Sequence, residues 1–304
     1  MTDAALQTPA VAPKKHSRLR RWTRRLLRLA ALIYIGLVAI LYAAQTGLIF
    51  SGHSTQGQRQ AVVRQGADNE LLQLQTPSGE RVVALFGKAL DADGKIRPDA
   101  ASRPTIIWFY GNAMCLADCY SEFGHFRRLG ANVIVPEYLG YGMSSGQPGE
   151  QGCYDSADAA YEYLLTRQDI DHSRIIPAGW SLGAGAAIDL ASRKAVAGLI
   201  TFSAFTSMPD MGHHLFPWLP TSLLVKHRFD NERKIARISC PILLGHGTVD
   251  SIVPFPMSAK LKAAAKAPLT TLFIDGADHN DLFEVGGDAL WSQVGNFIEK
   301  IAHK

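Results

Sequence analysis

The chain has 304 residues, with 31 Lys and Arg against 27 Asp and Glu, and 47% of it is hydrophobic. It carries no internal repeat and no low-complexity tract beyond the first dozen residues, which excludes a solenoid and leaves only that opening stretch to be disordered. The first 28 residues hold eight cations and one acid, Asp3, a balance of +7; the whole chain is +4, so the remainder is about −3. A mildly acidic remainder has no basic patch for phosphate contacts, so no nucleic-acid partner is expected.

Taken in chain order, the first feature is the basic run Lys14, Lys15, Arg18, Arg20, Arg21, Arg24, Arg25 and Arg28. Leu29 to Ala44 follows without a charge, and the apolar character continues through Leu48-Ile49-Phe50. About 22 residues at 1.5 Å each span roughly 33 Å, enough for a bilayer core. A buried core helix would show a polar face, and this run has none. A cleaved signal peptide would show a small-x-small site, missing around Tyr42-Ala43-Ala44-Gln45. Thr23 to Arg28 faintly resembles a twin-arginine export signal, which predicts the same side of the membrane. Residues 1–28 therefore read as a cytoplasmic tail that would sit near anionic lipid heads, 29–50 as a transmembrane signal anchor, and 51–304 as a domain on the periplasmic or lumenal side.

About 250 residues fit one α/β domain with a sizeable core. Strands are expected at Glu70–Thr76, Arg81–Phe86, Thr105–Phe109, Asn132–Pro136, Arg174–Ala178, Gly198–Phe202, Ile242–Gly245 and Leu269–Ile274, with helical patterns between the later ones. That alternation predicts a mostly parallel sheet. Leu90 to Arg103 reads as an exposed insertion. Pro177 falls in what should be a central strand, so a bulge or frayed pairing is expected there. Gly179-Trp180-Ser181-Leu182-Gly183 joins a short strand to a small-residue helix, the setting of a nucleophile elbow. The turn lifts the Ser181 hydroxyl clear of the sheet, and the Leu182 N–H at the helix start can face a developing oxyanion. A serine needs a base, and the base needs an acid to hold it. Asp250 and His279 each follow a late strand, in the order this architecture requires.

Further motifs accompany these: Tyr110-Gly111-Asn112-Ala113, Glu137-Tyr138-Leu139-Gly140-Tyr141-Gly142-Met143-Ser144-Ser145-Gly146, His246-Gly247-Thr248-Val249-Asp250-Ser251-Ile252-Val253-Pro254 and Gly276-Ala277-Asp278-His279-Asn280-Asp281. With the elbow they make five motifs in order, and the chain resembles the membrane-anchored, ABHD-type α/β-hydrolases from about Leu48 to its end. The resemblance implies the α/β-hydrolase fold, with Ser181 as nucleophile, His279 as base and Asp250 as acid. It maps the first oxyanion turn to Tyr110–Ala113, with the Asn112 N–H as second donor beside that of Leu182. Tyr110 stands where the family has His, and Asp278 where it has Gly; a carboxylate there would compete with Asp250 for the imidazole or raise its pKa.

Residues 203–238 are the expected short lid. Its Phe216, Trp218 and Leu219, with Tyr110, are the expected substrate contacts; packing of a helical excursion over the sheet is the alternative. His213 and His214 point about 100° apart on a helix and read as surface residues. Cys115, Cys119, Cys153 and Cys240 form no zinc pattern; an exported domain permits one bridge among the first three, and free buried thiols are the alternative. The function expected is hydrolysis of a small-molecule or lipid-like acyl ester or thioester, with no metal or organic cofactor. A peptidase or amidase on the same fold, or a non-catalytic binding scaffold, are the other readings.

Overall fold

The computed structural model describes residues 16–303, with side chains from Leu19; Asp3, Lys14, Lys15, the Arg18 side chain and the opening dozen residues lie outside the described residues. The chain divides into two compact units between Ala44 and Gln45. Helix α1 (His16–Ile49) runs through the first and five residues into the second. It starts inside the basic run, since Arg and Leu are good helix formers. The stretch expected as a tail is thus helical from His16. Among the described residues one helix, Leu19–Ile49, is long and apolar enough to cross a membrane.

The second unit begins at Gln45, six residues before the expected start of the domain. Its strands and helices alternate: β1 (Asn69–Gln75), β2 (Arg81–Gly87), β3 (Thr105–Phe109), α2 (Tyr120–Arg128), β4 (Asn132–Pro136), α3 (Glu150–Thr166), β5 (Ile175–Trp180) and α4 (Leu182–Arg193). After β6 (Leu199–Phe202) come three short helices, α5 (Met208–Leu215), α6 (Thr221–Leu224) and α7 (Asn231–Ile235). Then follow β7 (Ile242–Gly247), α8 (Pro256–Ala264), β8 (Leu269–Ile274) and α9 (Leu282–Ala302). The strands form one eight-stranded sheet in the order β1-β2-β4-β3-β5-β6-β7-β8. The β1–β2 and β2–β4 pairs are antiparallel and the rest parallel.

Sequence dictates position in the sheet. Thr105-Ile106-Ile107-Trp108-Phe109 is buried at every residue, as a central strand covered on both faces must be. β1 and β8 mix exposed and buried residues and lie at the edges. Pro177 makes no bulge. The β3–β5 register runs through Ile107↔Pro177 unbroken, while pairing with β6 opens only at Ala178↔Ile200. The missing N–H is absorbed where a strand pair begins, so the sheet keeps its order.

Around the sheet, α3 packs on α4, while α2 and α9 meet through His125 and Phe126 against Trp291. Trp108, Phe126, Phe202, Phe283 and Trp291 form a connected aromatic cluster. Each fully buried Phe there contributes about 1.5–3 kcal/mol. This cluster joins β3, α2, β6 and α9. Strands β5, β7 and β8 deliver the chain to Ser181, Asp250 and His279 at their C-terminal ends, the edge where open α/β sheets bind ligands.

Candidate active site

Ser181 sits between β5 and α4 with φ +56°, ψ −119°, a conformation L-residues adopt only when the surroundings hold them there. The Ser181 N–H donates to Phe202 O (2.9 Å) on β6. The flanking glycines are required by close approach: a Cβ on Gly183 would lie 2.0 Å from Phe109 O, and one on Gly179 would lie 2.2 Å from Gly183 O. Only glycine lets α4 return this tightly over β3 and β5. Leu182 is the first residue of α4, so its N–H has no intrahelical acceptor and lies beside the Ser181 hydroxyl.

The hydroxyl of Ser181 is 3.0 Å from His279 Nε2, and His279 Nδ1 is 2.8 Å from Asp250 Oδ2. Because the carboxylate accepts at Nδ1–H, Nε2 is left to accept from Ser181. Asp250 is saturated. Its Oδ1 accepts the N–H groups of Ile252 (3.0 Å) and Val253 (2.7 Å), and Oδ2 also lies 3.2 Å from His246 Nε2. Burial works to raise the Asp250 pKa, but hydrogen bonds from His246 and His279 outweigh it and hold it well below the usual carboxylate range. His246 is wholly buried; Nε2–H donates to Val253 O (2.9 Å) as well, and Ser258 Oγ donates to Nδ1 at 2.5 Å. His246 lies inside the acid-loop motif, but nothing in its spacing reveals that it touches Asp250. Trp180 was also hidden within its motif. Its ring packs against the His279 imidazole (5.2 Å) and under Gly111, where a Cβ would meet it at 2.9 Å.

Asp278 does not touch the imidazole. Its carboxylate accepts from Ser251 N–H (2.6 Å), Ser251 Oγ (3.0 Å) and the His279 N–H (2.7 Å). These bonds, the Ser251 N–H first, lower its pKa. The expected competition with Asp250 gives way to a stitch between the acid and base loops.

The Asn112 turn is held from two sides. Asn112 O accepts from Gly52 N–H (2.7 Å) and the Tyr141 hydroxyl (3.2 Å), and Asn112 Nδ2 donates to Ile49 O (3.1 Å). Among the described residues these bonds engage its carbonyl and side chain, not its N–H. Thr55 Oγ1 accepts from Gly142 N–H (3.1 Å), and Gln56 Nε2 donates to Ser144 O (3.0 Å). The segment from Ile49 to Gln56 is therefore a strap across the site loops. From below, buried Glu137 accepts from the Leu116 N–H (2.7 Å), the Tyr110 hydroxyl (2.9 Å) and the Met143 N–H (3.0 Å). Burial raises its pKa and those donors oppose the rise.

Tyr110 is corrected by this geometry. Its side chain is fully buried and spent on Glu137 and on the Tyr138 N–H (3.2 Å), so it is a support under the turn and not a substrate contact. In the lid, Phe216 and Trp218 meet edge to face at 6.2 Å; Leu219 is buried and Trp218 half-exposed. The excursion is tied to the end of α1: Gln45 Nε2 donates to Leu224 O (3.3 Å), Lys226 N–H donates to Gln45 Oε1 (2.7 Å), and Thr46 Oγ1 lies 3.0 Å from His227 Nε2. His213 and His214 are exposed. All four cysteines are free thiols, so the bridge allowed for Cys115, Cys119 and Cys153 is not formed. Burial pushes Cys115 up to about 12 and Cys240 up to about 11. Among the described residues no group of three or more His, Cys, Asp or Glu is arranged to hold a metal ion.

No family model matches the chain. It is similar to an uncharacterized protein of Mycobacterium tuberculosis, 32% identical over 228 residues, which cover 74% of this chain and 81% of that protein. It is also similar to alpha/beta hydrolase domain-containing protein 17B of Xenopus laevis, 31% identical over 214 residues and 70% of each chain. Among solved structures it resembles an esterase of Pyrococcus furiosus, with TM-score 0.62 and 18% identity over 79% of this chain and 97% of that one. The last likeness is one of fold; the amphibian relative carries the kinship. With its sheet order and its elbow, this chain belongs to the α/β-hydrolase superfamily.

Proposed function

We propose that this hydrolase is a membrane-anchored serine hydrolase that cleaves carboxylic ester or thioester bonds through an acyl-enzyme intermediate. One observation carries the reading: Ser181, His279 and Asp250 come from three loops at one sheet edge and line up at 3.0 and 2.8 Å. Ser181 Oγ attacks the acyl carbonyl as His279 Nε2 takes its proton. Asp250 holds the imidazole in the tautomer that can accept, and stabilises the imidazolium that forms. The Leu182 and Asn112 N–H groups receive the oxyanion. His279 returns the proton to the leaving alcohol or thiol, and water then repeats the sequence to release the acid. None of these steps needs a metal or an organic cofactor. Phe216 and Leu219, both more buried than Trp218, are the candidates for the acyl chain. The apolar helix with its basic flank supports the anchor.

The test is covalent. A fluorophosphonate probe labels the wild-type chain, and Ser181→Ala abolishes the labelling; wild-type labelling of the variant removes the nucleophile assignment. On p-nitrophenyl esters kcat/KM rises with chain length, by about 0.8 kcal/mol per buried methylene, to a maximum at roughly four to ten carbons. Peptide cleavage without esterase activity assigns the site to amides instead, and a folded chain inert to probe and substrates is a binding scaffold.

A further inference from the structure

We infer that the lid around α6 is a bilayer-contacting surface, its outer face seated in the leaflet from which the membrane-spanning helix emerges. The inference rests on the anchor reading above. It begins with Gln45. The last cation before the apolar run is Arg28, which marks one face of the membrane. Gln45 lies 17 residues further along one helix, roughly 26 Å at 1.5 Å each, while a hydrocarbon core is about 30 Å thick. Its amide thus falls at the inner margin of the far interface, where an unsatisfied polar group is costly. The protein answers that cost locally. Gln45 is buried, its Nε2 donates to Leu224 O and its Oε1 accepts the Lys226 N–H. A residue hydrogen-bonded to Gln45 cannot stand far from the level of Gln45, so Leu224 and Lys226 are held at that interface.

The side chains around them suit lipid. Leu223 is 83% exposed, Leu215 61% and Trp218 49%, with Pro217 and Pro220 exposed between them. Leu48, on the last turn of α1, is 60% exposed. Exposed Lys226 and Arg228 follow within a few residues. Leucines to enter the acyl boundary, a Trp for the headgroup level and cations behind them is the composition of an interfacial segment. The same excursion carries Phe216 and Leu219, so an acyl chain resident in that leaflet meets the lid before it meets Ser181. The substrates implied are acyl groups presented by the bilayer and not those dissolved in water.

The 304-residue chain is reconstituted into phosphatidylcholine vesicles brominated at acyl carbons 6 and 7, in a Trp22→Phe background that removes the tryptophan of the opposite flank. Quenching of the remaining fluorescence is expected, and its loss on adding Trp218→Phe. Vesicle flotation is read in parallel: a chain that floats without Trp218 quenching overturns the lid contact and leaves the anchor standing, whereas a chain that does not float removes both. In a second arm Leu215→Ser with Leu223→Ser keeps turnover of a soluble short-chain ester within about twofold, while KM for a bilayer-dissolved long-chain ester rises about tenfold. Equal behaviour on the two substrates overturns the proposal.

Discussion

Asp250 is where single atoms decide the chemistry. Its Oδ1 accepts two backbone N–H groups and its Oδ2 faces two imidazole donors. In Asp250→Asn the amide oxygen stays with the backbone, so the NH2 must face His279. The imidazole turns to the other tautomer, and Nε2–H can no longer accept from Ser181. We expect kcat to fall by roughly 10³–10⁴-fold, and Asp278→Asn, whose oxygen still accepts from Ser251, to cost far less; steady-state kinetics ranks the two. The folded-state pKa of Asp250 is depressed, so its stabilisation is present above about pH 4 and drains away as pH falls further toward the folded-state value. Acid unfolding of Asp250→Asn should therefore depend less on pH below that point than wild type does. His246→Phe keeps a ring but removes the donor to Oδ2 and strands the Ser258 hydroxyl. A loss of about 1–3 kcal/mol in urea unfolding and a fall in kcat of about tenfold are expected.

At the scale of elements, the strap from Ile49 to Gln56 links the end of α1 to the Asn112 turn. Gly52 is its closest point: a Cβ there would lie 2.2 Å from the Tyr141 ring, 2.6 Å from Asn112 O and 2.7 Å from Met114 O. Two of those atoms are backbone, so relief must come from moving the turn. Gly52→Ala is expected to lower kcat by roughly 10²-fold, the scale of a displaced oxyanion donor, and to weaken a boronate inhibitor in proportion while KM changes little. Gly47→Ala, five residues earlier, meets only the His53 ring at 3.8 Å and should behave as wild type. A matching fall for both variants would mean that strap flexibility, and not the contact at Gly52, is what matters. A domain started at residue 51 would lack the Ile49 carbonyl that holds the Asn112 side chain and the Phe50 ring that packs on His227 and Phe229.

For the whole molecule the charge asymmetry sets the prediction. Eight cations precede the apolar run and only Arg59 and Arg64 follow closely, so the N-terminus is expected to stay cytoplasmic and the catalytic unit to be carried across. A phosphatase reporter fused after Lys304 is expected to be active only when exported. A silent export reporter beside a fluorescent cytoplasmic one refutes that topology. The unit between would then face the cytoplasm, and the free thiols at Cys115, Cys119 and Cys153 would sit in a reducing compartment.

Sequence alone determined whatever depends on neighbours along the chain. Unbroken apolar runs such as Thr105–Phe109 placed the strands to within two residues. Glycines flanking Ser181 marked the elbow because no other residue fits a turn that tight. Asp250 and His279 were legible because each follows a strand end directly. What only the tertiary structure decided are the pairings between distant segments: Tyr110 with Glu137, His246 with Asp250, Gly52 with Asn112, Gln45 with the lid. Tyr110 read as a substrate contact since its motif borders the site, but burial and its two hydroxyl bonds hold it inward. Pro177 read as a bulge or frayed pairing, yet the β3 register runs straight through it and only the pairing with β6 waits one residue, to Ala178↔Ile200. A hydrogen bond between residues 60 or 180 positions apart leaves no periodic trace, because its partners are selected by the folded surface and not by local propensity.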